Sequence, residues 1–112
     1  MVIVDRRRRR SSDPERALTL LLDSIAARHR LRGVALADDR GALLAASGEG
    51  AAALAQAGRR AALGEDDPAF DGADLYGARV EVGAATFFLA SLGARVRRVR
   101  ETRDSIARIL RV

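Results

Sequence analysis

Apolar side chains recur along this chain at two different periods, and the switches between them mark out its elements. Leu18, Leu21, Leu22, Ile25, Ala26 and His29 fall at helical spacing, which defines one buried stripe. Asp13-Pro14-Glu15 ahead of it offers a capping side chain, a residue suited to the first helical position and an acid near the positive end of the helix dipole. A helix is predicted over residues 14–30. Apolar residues on both sides of Asp38-Asp39-Arg40-Gly41 then predict two short strands folded back on each other, with Gly41 free to take a positive φ at the turn. Val34, Ala35, Leu36 and Ala37, and the run 42–46 after the turn, leave neither face of this hairpin polar, so both faces are expected to lie under helices.

Residues 51–63 are Ala-rich and closed by Gly64, which predicts a second helix. Gly58 inside it costs about 1 kcal/mol relative to Ala, so its presence points to a backbone that must come close. Tyr76, Ala78, Val80 and Val82 alternate with Gly77, Arg79 and Glu81, as a half-exposed strand does. Residues 85–92 read as a buried central strand, with Phe87 and Phe88 pointing to opposite faces to anchor a layer on each side. Val96, Val99, Ile106, Ile109 and Leu110 return to helical spacing and predict a closing helix over 95–111.

The chain has 112 residues, 48% hydrophobic but only 4% aromatic, which fits one domain, placed at 13–112, with a core of small side chains. Such a core gains less from burial, so association with a second copy would help to stabilise it. The net charge of +5 acquires meaning once it is located. Residues 1–10 hold five Arg and one Asp, residues 33–94 hold four Arg against nine acids, and residues 95–112 hold seven Arg against two acids. The body is therefore dipolar along the sequence rather than uniformly basic. Arg6, Arg7, Arg8, Arg9 and Arg10 repel one another and precede Ser11-Ser12, so residues 1–12 are expected to form a mobile arm. Its functional reading is an anion-binding arm for nucleic acid, a membrane surface or an acidic protein face. Charges interrupt the stretch after the arm, leaving no apolar segment of a signal peptide, and the longest uncharged run, 82–94, is too short to span a bilayer. A soluble cytoplasmic protein is expected.

Candidate chemistry is sparse. The sequence has no Cys, which removes disulfides, thiol catalysis and Cys-ligated metals. All twenty basic residues are Arg, so Gly48-Glu49-Gly50 before a helix cannot belong to a Lys-containing phosphate loop. His29 is the one histidine and lacks the partners that acid–base or metal chemistry requires. Asp38-Asp39 at a turn tip reads as a turn former rather than a paired-acid site. No catalytic residue, cofactor or metal is assigned, and the chain is not expected to be an enzyme. Phe70, Tyr76, Phe87 and Phe88 are its only aromatics, too few outside the core for base stacking.

Leu21-Leu22, the run Gly33-Val34-Ala35-Leu36-Ala37-Asp38 with Gly41 and Leu44-Ala45-Ala46-Ser47, and Phe88-Leu89-Ala90-Ser91-Leu92-Gly93 before the last helix together resemble the Roadblock/dynein light chain family in its bacterial and archaeal form. The resemblance covers about residues 14–111 and implies an α+β fold. In it, a two-faced antiparallel sheet of four to five strands carries the middle helix on one face and the N- and C-terminal helices on the other. It also implies a non-enzymatic platform that homodimerises through the middle helix and the adjacent edge strand and serves a Ras-like small GTPase as regulator or scaffold. In this chain that interface would draw on Ala53, Leu54, Ala57, Gly58, Ala61 and Tyr76. The first, third and fifth of these fall on successive helical turns as a ridge of small side chains, at the edge of the face that Leu54 and Gly58 turn to the sheet. Four strands can be placed in the sequence, the acidic stretch 65–74 standing where a fifth would begin, and the Arg arm is an addition to the family pattern. The competing readings are an anion-binding adaptor working through the arm and a small-molecule sensor of the GAF or PAS type, which would need a pocket with convergent polar groups.

Overall fold

A computed structural model of the chain describes residues 14–48, 50–65, 74–97 and 99–110. The arm at 1–12, Asp13 as a cap, Phe70 and most of the acidic stretch lie outside the described residues. The elements run α1 (Pro14–His29), β1 (Gly33–Asp38), β2 (Leu43–Gly48), α2 (Ala51–Ala62), β3 (Leu75–Val82), β4 (Ala85–Leu92) and α3 (Val99–Leu110). The four strands form one sheet in the order β2-β1-β4-β3, every neighbouring pair antiparallel. The fold is thus α+β, with three helices on a four-stranded antiparallel sheet among the described residues.

The hairpin turn forms for the reason its composition suggests. Asp38 Oδ1 accepts hydrogen bonds from the backbone N–H groups of Arg40 at 2.9 Å and Ala42 at 2.8 Å, and Gly41 takes φ 88°. Asp38 therefore spends its carboxylate on the turn, as Asx turns do. β1 is central, paired with β2 on one side and β4 on the other, with Leu36 opposite Leu89. Residues 33–37 are all buried, as a strand covered on both faces must be.

Alternation along the strands sorts the core into two layers. Val34, Leu36, Ala45, Val80, Val82, Phe87 and Leu89 pack with Leu18, Leu22 and Ile25 of α1 and Ile106 of α3. Ala35, Ala37 and Ala90, on the opposite face, pack with Leu54 and Ala55 of α2. The terminal helices thus share one face and the middle helix takes the other.

The closing helix starts later than its apolar spacing predicts, at Val99 rather than near residue 95. Gly93 turns the chain at φ 110°, and the Ser91 hydroxyl donates to the Ala94 carbonyl at 2.8 Å, holding residues 94–97 out of helical geometry. Val96 is buried there all the same, sealing the end of the layer from a loop. Helical spacing of apolar residues was satisfied by a buried loop residue followed by a shorter helix.

Candidate interaction surface on the middle helix and the sheet edge

The middle helix lies unusually close to the sheet. A Cβ on Gly58 would overlap the Ala90 side chain and stand 2.9 Å from its Cα, and a Cβ on Gly77 would run into the Gly58 carbonyl and stand 2.9 Å from the Ala62 nitrogen. Gly58 is thus placed where the backbone of β4 approaches, and Gly77 answers it from β3. Two side chains fasten α2 to the hairpin tip. Gln56 Nε2 donates to the Gly41 carbonyl at 3.3 Å and Arg59 Nε to the Asp39 carbonyl at 3.2 Å. The Arg59 guanidinium also stands 5.7 Å from the centre of the Phe88 ring.

The structure divides the six residues that the resemblance grouped as a dimer interface. Leu54 and Gly58 face the sheet and are buried, as expected. Ala57 is also completely buried, at 0% exposure, where the ridge reading needs it open to a second copy. The close seating of α2 explains this: a helix drawn in on Gly58 and Gly77 covers a wider arc of its own surface. Ala53 remains exposed and Ala61 half-buried. Tyr76 is half-buried on β3 and shares its strand face with Val80 and Val82, so it belongs to the side of the sheet under the terminal helices. Its ring lies beneath the Arg95 guanidinium at 5.3 Å.

Among the described residues β3 is paired on one side only, with β4, so no described strand takes up its outer N–H and C=O groups. A shallow pocket of about 470 Å³ runs along this edge between Ala61, Tyr76, Gly77, Arg95, Val96 and Val99. Sequence reasoning missed Arg95 and Val96 as part of this edge because their spacing assigned them to a helix.

Other site readings find their places as well. Phe87 and Phe88 are buried, and half-buried Tyr76 has the Arg95 guanidinium over its ring. No group of three or more potential metal ligands occurs among the described residues, and no described helix is long and apolar enough to cross a membrane.

No family model matches the sequence, and no curated protein is similar to it at a significant level. The structure is similar to that of Myxococcus xanthus MglB, with 18% sequence identity, a TM-score of 0.56, and 88% of this chain and 91% of that one covered. MglB is a Roadblock-family protein, and the likeness extends over most of both chains. At this identity it speaks to architecture, and the architecture of this chain is the Roadblock-type fold.

Proposed function

We propose that the chain is a non-enzymatic, homodimeric Roadblock-type module that regulates or scaffolds a Ras-like small GTPase. The observation that carries this reading is the likeness to MglB over nearly the full length of both chains, a GAP-like neighbour associated with a small GTPase. The β3 edge, which no other described strand pairs, lies near Ala61 on the helix that also exposes Ala53, and this supports the dimer. A two-fold axis perpendicular to the sheet at that edge would pair β3 antiparallel with its copy, as an isologous interface does, joining the four described strands of each protomer into one continuous sheet and bringing the two α2 helices side by side on one face.

The experiment measures mass by light scattering, then retention of Ras-like GTPases loaded in turn with GDP and a non-hydrolysable GTP analogue. A dimer and nucleotide-dependent retention are expected. Ala53→Arg, a long charged stem at an exposed position of α2, should lower the mass to that of a monomer with helix content kept. Ala57→Arg is the wrong probe, because it would bury an unpaired charge within the protomer. A wild-type monomer would refute the dimer, and equal retention in both nucleotide states, or none, would refute the GTPase role.

A further inference from the structure

The face of the sheet away from α2 carries a second surface with a different chemistry. Between α1 and α3, closed at one end by the 94–97 turn, lies an open groove of about 920 Å³. Half-buried Leu21 of α1 lines it with apolar surface above the buried Ile25, Arg28, Arg97 and Arg108 line it with basic side chains, and Arg95 stands at its end with its guanidinium over Tyr76. Two carboxylates, Glu101 and Asp104, also reach it, and Asp104 is engaged by Arg103 at 3.4 Å. Thr102 and Ser105 add hydroxyls along the α3 wall, the latter facing Arg108 Nη2 at 3.5 Å. The charge comes from two segments distant in sequence, the end of α1 and the 95–108 stretch, which the fold brings to one concavity.

We propose that this groove is a docking site for an acidic peptide segment carrying aliphatic side chains. Arg28, Arg97 and Arg108 take its carboxylates, and Leu21 meets its aliphatic groups. Guanidinium groups suit carboxylates because their planar forks can bind both oxygens. Among the described residues, basic side chains outnumber carboxylates in the lining of the groove. Concavity and the apolar floor select among anionic partners. A flat membrane surface would meet the convex helix faces rather than the groove, and a phosphodiester backbone has no aliphatic groups to cover Leu21. A segment with acids and Leu or Ile a turn apart satisfies both parts of the lining, in the manner of helix-in-groove recognition. The site lies on the opposite face of the sheet from α2, so it stands or falls separately from the dimer proposed at α2 and the β3 edge.

The test is a display selection of short random peptides on the full-length chain, followed by titration of the enriched peptides. Enrichment of Asp or Glu together with Leu or Ile is expected, with affinity falling as salt rises. Amide shifts on binding should centre on Leu21, Arg28, Thr102 and Ser105, a readout that needs no variant. Arg28→Glu and Arg108→Glu should each weaken binding by about tenfold or more, Arg108→Lys by less, and Ser105→Trp should block the groove sterically without changing charge. Replacing Arg6 to Arg10 by Gln should leave the affinity nearly unchanged. The proposal is overturned if no peptide is enriched, if enriched peptides lack acids, or if the shifts fall outside the groove. It is equally overturned if neutralising the arm abolishes binding, or if only vesicles of equimolar phosphatidylserine and phosphatidylcholine, or only duplex DNA, bind.

Discussion

The two faces of the sheet are built by opposite means. Under α1 and α3 the strands present Val34, Leu36, Val80, Val82, Phe87 and Leu89, and the helices answer with Leu18, Leu22, Ile25 and Ile106, so this layer is thick and held by burial of large aliphatic groups. Under α2 the strands present Ala35, Ala37 and Ala90, with Gly77 beneath the helix, and the helix answers with Leu54, Ala55 and Gly58. That layer is thin: little area is buried per side chain, and the gain comes from close backbone approach and many weak contacts at short range. The difference teaches how a chain poor in aromatics covers both faces of one sheet. Large side chains predominate on one side, and on the other small residues seat α2 closely, with Phe88 buried under Arg59.

If that division is right, the two layers must fail in opposite ways, by loss of volume or burial of charge in the first and by addition of volume in the second. Leu36 is 0% exposed on the central strand. Leu36→Asp buries a carboxylate without a partner, a change in the class that costs more than about 4 kcal/mol, close to the whole stability of a small domain. Cooperative thermal unfolding should disappear. Leu36→Ala should cost about 2–5 kcal/mol and leave a folded protein with a lower midpoint. An unchanged midpoint for Leu36→Asp would mean that this face is not the thick layer.

On the thin side the smallest possible enlargement should be harmful. Gly58→Ala adds one methyl where the Ala90 side chain already stands, and overpacking of this kind costs about 1–3 kcal/mol, although Ala is the better helix former by about 1 kcal/mol. Ala90→Gly should also destabilise on its own, because Gly weakens a strand by roughly 0.5–1 kcal/mol. Together the two should be less damaging than their sum, since the second opens the space the first requires. Denaturant titration of both singles and the double gives the coupling. Strict additivity would show that the helix does not rest on Ala90.

Much of this contrast was legible in the sequence. The large alternating residues of β3 and β4 and the Leu-rich stripe of α1 announce the thick layer through periodicity alone, and Gly58 within an Ala-rich helix signals close approach. What periodicity could not give was depth. Whether Ala57 is open or covered depends on how far α2 sinks into the sheet, and that is set by Gly77, a strand residue more than a dozen positions away whose role has no local signature. The groove between α1 and α3 was hidden for a similar reason. Arg28 and Arg108 each read as part of a solvated helix face, and only the tertiary fold places them across one concavity. The start of α3 was misplaced because Val96 fits the helical stripe as well as it fits the loop.

The smallest expected effect lies at the rim of the thin layer, where polar groups do what bulk does elsewhere. Arg59 joins α2 to the hairpin tip through the Asp39 carbonyl at 3.2 Å and spreads its guanidinium over Phe88 at 5.7 Å. Each contact is partly exposed to water, so each is worth on the order of 0.5–1 kcal/mol. Arg59→Ala should therefore lower stability by about 1–2 kcal/mol, below the cost of Leu36→Ala, and should loosen the tip more than the core. Amide hydrogen exchange is the decisive measurement, because it separates local from global opening. Protection should drop first at Arg40, Gly41 and Ala42 in the turn and at the N-terminal turns of α2, while Leu22, Leu36 and Leu89 keep theirs. Arg59→Lys keeps the charge and the stem but not the planar fork, so it should recover part of the loss. Uniform loss of protection across both layers would show that Arg59 supports the fold as a whole, and that the thin layer has no rim of its own.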